Sequence, residues 1–162
     1  MKKIGTITLN EIAFLSDPCY TMDIWCCGGS IKVVSGEYDV FITRSKSKDK
    51  WFNGRITNLV AIHKDYLKNK KLPKTELTAW CGVDSGTCGI FDIDYYEKYH
   101  NEELNEEWYQ KFVCGEICDK SAEYRICDDL GVWSSSGCGD GQYPVYCEFE
   151  GDKAYAIRIK YL

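Results

Sequence analysis

The sequence predicts an α+β fold dominated by β-strands, either an antiparallel sandwich or a partly closed barrel, with a helical insertion near residues 94–118. Two observations carry this prediction. Short segments of alternating apolar and polar residues recur along the chain, and the pattern changes to a helical period in one block. With 162 residues, of which 44% are hydrophobic, the chain is expected to form a single domain that spans residues 1–162.

The clearest strand pair is the last one in the chain, residues 145–149 and 155–161, where apolar and polar side chains alternate. A one-residue slip would turn every side chain to the other face, so the two apolar faces coincide only if the connection has an odd length. We therefore expect a three-residue connection at residues 151–153. It sets Phe149 opposite Tyr155, Cys147 opposite Ile157 and Tyr146 opposite Arg158.

Eight further segments show strand patterns or turn residues that bound strands. The predicted strands are residues 3–9, 31–34, 37–43, 55–63, 78–83 and 90–93, with weaker candidates at 121–126 and 132–134. Because residues 1–9 alternate, we expect a strand there and not a signal peptide. Asp94 followed by Glu97 predicts a capping box at the start of the helical insertion.

Ten cysteines occur, but no C-x-x-C pair is among them. Structural zinc sites usually show such short paired spacings, so the pattern favours free buried thiols over zinc, which stays the alternative. Because no export signal is recognised, we expect a cytoplasmic protein in a reducing compartment, where the thiols stay free. No apolar run approaches the length of a membrane helix, so no membrane association is expected.

Charge is unevenly distributed along the chain, which carries a net charge of -5. Ten basic and two acidic residues lie between Arg44 and Lys74, whereas residues 92–107 hold seven acidic residues against Lys98 alone. The basic loop at residues 44–55 contains Trp51, a combination suited to nucleic acid, but the acidic total argues against a nucleic-acid partner. The acidic segment would instead suit a basic site on a partner protein.

Three loops share an aspartate with turn-forming neighbours, namely residues 16–20, 83–86 and 139–146. Aspartate in such loops suits ligand binding, yet aspartate and glycine are also what tight turns require. The candidate binding residues from these loops are Asp17, Tyr20, Asp84, Ser85, Asp140 and Tyr143.

The stretches V-D-S-G-T-C-G-I-F-D and G-D-G-Q-Y-P-V-Y, in this order and separated by a helical insertion, resemble an uncharacterised bacterial and phage family, the domain of unknown function numbered four-two-four-one. The likeness extends in outline from Asp17 to Val145 and rests on short, turn-forming motifs. It implies no reaction. It implies a compact cytoplasmic protein of an accessory or mobile element, a class that includes phage proteins that block a host defence.

These observations favour a binding or inhibitor protein that recognises a protein or a small molecule, without a cofactor or an assigned metal ligand. The alternative is a small hydrolase or metal-dependent enzyme. It would use the aspartate loops, including Asp92, or a nucleophile and base formed by Cys19 and His63.

Overall fold

Eleven strands, one α-helix and one 3-10 helix form within residues 1–22, 25–69, 76–100 and 122–162, the part of the chain that the computed structural model describes. In chain order they are β1 Lys2–Leu9, β2 Ile12–Ser16, β3 Cys27–Lys32, β4 Gly36–Arg44, β5 Ile56–His63, the 3-10 helix Lys64–Asn69, β6 Glu76–Val83, β7 Thr87–Asp92, α1 Ile93–His100, β8 Tyr124–Cys127, β9 Gly131–Ser135, β10 Gly141–Glu150 and β11 Lys153–Lys160.

The described strands pair into two antiparallel sheets, in the order β1-β4-β5-β11-β10-β6 and β3-β2-β7-β9-β8. The buried core between them draws apolar side chains from both sheets, for example Leu59 and Ile159 from the first and Leu15 and Ile90 from the second. The predicted α+β fold with dominant strands is therefore confirmed as a sandwich, and the described strands form no closed barrel.

The helical insertion was predicted at residues 94–118, and α1 occupies its first part; residues 101–118 lie outside the described residues. The predicted cap at Asp94 is wrong. Helix α1 begins at Ile93, and the buried carboxylate of Asp92 accepts from Tyr95 N at 3.5 Å and from Asn10 N at 2.9 Å. Asp92 therefore caps the helix and holds the β1–β2 connection beside it.

The core residues of the C-terminal hairpin pair in the expected register, but the turn that connects the two strands is shorter than expected. A two-residue turn, Gly151-Asp152, pairs Glu150 with Lys153 and Phe149 with Ala154, so the predicted pairing of Phe149 with Tyr155 is wrong. A β-bulge next to this turn gives β11 one extra residue, Tyr155. The bulge restores the predicted pairs Cys147 with Ile157 and Tyr146 with Arg158.

The bulge has a packing partner on the outer face of the six-stranded sheet. Tyr155 stacks on Tyr66 of the 3-10 helix with ring centroids 4.3 Å apart. Beside them lies a small apolar cluster made of Phe41, Val60, Ile62 and Ala156. The 3-10 helix explains why this part of the outer face is apolar, since Leu67 packs against the cluster.

Two glycines on the outer face of the second sheet make room for the ring of Phe91. A Cβ at Gly89 would lie 2.4 Å from that ring and 2.6 Å from the carbonyl oxygen of Val132, and a Cβ at Gly131 would lie 2.3 Å from the ring. Tyr96 of α1 packs on Phe91 with ring centroids 4.8 Å apart. The glycines therefore determine how closely α1 approaches the sheet.

We predict that Gly89→Ala lowers the free energy of unfolding by about 1–3 kcal/mol, because the new methyl group overpacks against a ring and a backbone carbonyl. Chemical denaturation monitored by tryptophan fluorescence measures the change. Ser30→Ala, at an exposed strand position, is the control and is expected to stay within about 0.5 kcal/mol of wild type. Equal stability of Gly89→Ala and wild type would show that Phe91 can move away at no cost.

Candidate functional site

A buried carboxylate, that of Asp17, joins two of the three aspartate loops. Asp17 follows β2 directly and is fully buried. Its Oδ1 accepts from Cys19 N at 3.0 Å and from Ser85 Oγ at 2.7 Å, while its Oδ2 accepts from Asp84 N at 2.9 Å and from Ser85 N at 2.8 Å. Four donors satisfy the charge inside the protein, which is what burial of a carboxylate requires. Asp17 thus fixes the β6–β7 turn against the loop after β2.

Two tyrosines complete this framework. The hydroxyl of Tyr20 donates to Asp84 Oδ2 at 2.5 Å, and this hydrogen bond, with desolvation and the nearby charge, raises the pKa of Tyr20 well above its usual value. Tyr96 of α1 lies beneath the loop, where its hydroxyl oxygen is 2.7 Å from the carbonyl oxygen of Tyr20 and 3.0 Å from Ser16 Oγ. Burial raises the pKa of Tyr96, so this hydroxyl stays protonated and can donate.

The glycine-rich loop between β9 and β10 is held by its own hydrogen bonds. Ser136 Oγ and the hydroxyl of Tyr143 both donate to the carbonyl oxygen of Gly139, at 2.5 and 2.7 Å. Arg55 Nη1 donates to the carbonyl oxygen of Gly137 at 2.6 Å. Gly137 has a φ of +71°, and a Cβ there would lie 2.1 Å from the carbonyl oxygen of Ile56, so the loop needs glycine at this point.

The loop and the β6–β7 turn meet at the mouth of a cleft. Ser136 N donates to the carbonyl oxygen of Gly86 at 2.9 Å, and Gly86 and Gly139 approach each other closely. The cleft has a volume of about 740 Å³. It is lined by Arg55, Asp84, Ser85, Gly86, Thr87, Ala122, Glu123, Ser135, Gly137, Cys138, Gly139 and Asp140.

The six candidate binding residues occupy two different positions relative to this cleft. Asp84, Ser85 and Asp140 line it. The other three support it: Asp17 from below, Tyr20 through Asp84, and Tyr143 from within the glycine-rich loop. Asp92, which the enzymatic alternative grouped with these loops, caps α1 instead.

Arg55 and Glu123 also line the cleft, although the sequence did not single them out as a pair. Glu123 forms a two-bonded ion pair with Arg44, at 2.6 and 3.0 Å, which holds the pKa of Glu123 below its usual value. Arg55 lies over the ring of Trp51 and donates from Nε to the carbonyl oxygen of the same residue. The sequence offered one signal for this arrangement. Arg44 and Arg55 stand at the two ends of one loop, so pairing of the strands on either side brings these two residues together.

Two carboxylates of the cleft are left without a cation. Among the described residues, neither Asp84 nor Asp140 takes part in an ion pair, and both are exposed. Glu123 is paired with Arg44, whereas Arg55 keeps its positive charge while it donates to backbone carbonyls. The carboxylates of Asp84, Glu123 and Asp140 and the single guanidinium of Arg55 line the cleft, so the formal charge of its lining is negative.

Two other kinds of site were considered for the chain, a metal site and a catalytic pair formed by Cys19 and His63. The described residues support neither of them. Within the described residues, no group of three or more histidine, cysteine or acidic side chains is placed to hold a metal ion, and no disulfide bond joins any of the eight described cysteines. His63 has backbone partners at both ring nitrogens: Nε2 lies 3.2 Å from the carbonyl oxygen of Ser35, and Nδ1 accepts from Asp65 N at 3.2 Å. Cys19 instead packs beside the aromatic cluster under α1.

No protein-family model matches the chain, and neither the curated proteins nor the solved structures contain a match to it. The resemblance of the two loop motifs to the uncharacterised phage and bacterial family therefore stays a prediction. None of the described helices is both long and apolar enough to cross a membrane.

We predict that Asp17→Asn lowers the free energy of unfolding by about 2–4 kcal/mol. The amide group of asparagine would face backbone N–H donors, so at least one buried donor would lose its acceptor. Urea denaturation measures the loss, and Asp65→Asn is the control because the side chain of Asp65 is 86% exposed. Stability equal to that of the control would show that the four hydrogen bonds to Asp17 do not hold the loops.

Proposed function

We propose that the protein is a small binding or inhibitor protein that recognises a macromolecule or a small ligand through the cleft beside Asp84 and Asp140. The observation that carries the proposal is the cleft itself, whose volume of about 740 Å³ lies in the range of known ligand sites. Most of its lining comes from the β6–β7 turn and the glycine-rich loop, which hydrogen bonds hold in place.

Fixed walls favour binding because little conformational entropy is lost when the ligand arrives. On one side, the buried carboxylate of Asp17 holds the backbone of Asp84 and Ser85. On the other, Arg55 and Tyr143 hold the carbonyl groups of Gly137 and Gly139. The residues that support the cleft are buried or half-buried, while Asp84 and Asp140 remain exposed for contact.

The charge of the cleft favours a ligand that carries a positive group. The carboxylates of Asp84 and Asp140 lack cationic partners among the described residues, and the hydroxyl groups of Ser85 and Thr87 lie in the same cleft. A lysine or arginine side chain of a partner protein, or a small cationic molecule, would supply the missing charge and hydrogen-bond donors.

The setting that we propose for this binding activity is the cytoplasm of a bacterial cell or of a phage-infected cell. The support is the resemblance of the two loop motifs and the cysteine content without paired metal spacings. In that setting the bound macromolecule would be a host protein with a basic site, as expected of an accessory or counter-defence protein.

We predict that Nα-acetyl-arginine amide shifts the backbone amide signals of Ser85, Gly86, Gly139 and Asp140 in a ¹⁵N-labelled sample. The uncharged isostere, Nα-acetyl-citrulline amide, is expected to leave them unchanged at the same concentration. The double variant Asp84→Asn/Asp140→Asn should weaken binding by about ten-fold or more, because each carboxylate loses its charge.

Asp65→Asn/Asp152→Asn is the matched control, since it removes two exposed carboxylates that do not line the cleft. It should bind as wild type does. Equal shifts with the citrulline derivative, or equal binding by the Asp84/Asp140 variant, would contradict cation recognition. Hydrolysis of a test substrate that is lost only in that variant would favour the enzymatic alternative.

A further inference from the structure

Two buried cysteines face each other directly beneath the β6–β7 turn. Cys81 lies in β6 and Cys88 lies in β7, so the two residues belong to opposite sheets. Both are fully buried in the core between the sheets. Cys88 Sγ lies 3.2 Å from Cys81 Sγ, about 1 Å beyond the length of a disulfide bond.

Neighbouring thiols have different partners. Cys27 Sγ, for example, donates to the carbonyl oxygen of Met22 at 2.8 Å, and Cys138 is exposed at the mouth of the cleft. The approach of Cys81 and Cys88 is therefore a property of these two positions and not of a cysteine-rich region as a whole.

We propose that Cys81 and Cys88 form a dithiol–disulfide pair, which a small disulfide such as oxidised glutathione converts to an intramolecular disulfide that links the two sheets. In the first step the thiolate of one cysteine attacks a sulfur of the oxidant, forms a mixed disulfide and releases one glutathione thiolate. In the second step the other cysteine displaces the second glutathione and the Cys81–Cys88 bond forms. Two electrons pass from the protein to the oxidant, and the two thiol protons end on the two glutathione molecules.

Burial determines when this exchange occurs. Desolvation, with the hydrogen bond to Cys81, raises the pKa of the Cys88 thiol well above its usual value, so in the closed fold the thiol is protonated and unreactive. Strand β6 is the last strand of its sheet and pairs only with β10 among the described strands. An edge strand can separate from its sheet without breaking the rest of it, and this local opening would admit the oxidant.

The bond would act on the turn that lines the cleft. It would close a loop from residue 81 to residue 88, which contains Asp84, Ser85 and Gly86. A closed loop of this length restricts the unfolded chain and keeps β6 attached to the opposite sheet, so the oxidised protein is the more stable form. In the cytoplasm such a bond would form only when the glutathione pool becomes oxidising.

The test uses the full chain equilibrated across a series of reduced and oxidised glutathione ratios, quenched with acid and alkylated. We expect an oxidised species that takes up two fewer alkyl groups than the reduced chain, with peptide mapping that joins Cys81 to Cys88. Its melting temperature should exceed that of the reduced chain by about 5–10 °C, and dithiothreitol should reverse the difference.

Cys81→Ala and Cys88→Ala should each abolish both the cross-link and the rise in melting temperature. Cys147→Ala, at another fully buried position in the same core, should retain them. Peptide mapping of the wild-type chain needs no variant to fold. A chain that stays reduced throughout the series and in mild denaturant, or a cross-link mapped to other cysteines, would overturn the proposal.

Discussion

The hydrogen bonds to the Asp17 carboxylate are the interaction on which the candidate site depends. A carboxylate in the interior is stable only if donors replace the water that it loses, and here the donors come from two separate loops. The loop after β2 and the β6–β7 turn must therefore be in place together or not at all. Because Asp84 and Ser85 are both donors and cleft residues, the same hydrogen bonds that satisfy the buried charge also determine the shape of the cleft.

The hydrophobic packing behind this framework begins at glycines. Gly89 and Gly131 leave room for the ring of Phe91 against the second sheet, and Tyr96 packs on that ring. The hydroxyl of Tyr96 then reaches the backbone of the loop that contains Asp17 and Tyr20. Contacts thus connect Gly89 and Gly131, through the rings of Phe91 and Tyr96, to the loop that contains Asp17 and Tyr20.

How much of this could be predicted from sequence depended on how local the signal was. Alternation identified β1, β4 and the core register of the C-terminal hairpin, and a run of apolar residues identified β5 as a buried strand. Strand β2 was missed because four of its five residues are buried and no alternation remains, and the start of β3 was missed because it contains two glycines. The bulge at Tyr155 depends on stacking with Tyr66, which is distant in sequence.

The same limit applied to the site. Turn chemistry located Asp17, Asp84 and Asp140, because aspartate beside glycine or proline marks a loop. It did not distinguish the aspartate that is buried from the two that are exposed, because that difference arises only when the sheets pack and bring the β6–β7 turn over the end of β2. Nor could it show that Arg55 crosses to the glycine-rich loop, since residues 55 and 137 meet only in the folded sandwich.

The bulge in the last hairpin separates two quantities that are usually linked in a hairpin, the length of the turn and the alignment of the core. One extra residue in the turn together with one fewer in β11 would leave Cys147 opposite Ile157, because both arrangements have the same residue count between these positions. The extra residue could therefore lie in the turn or in β11 without a change in the interior. For the same reason the tip at Gly151 and Asp152, which is exposed, is a natural place to insert a peptide tag without moving the core.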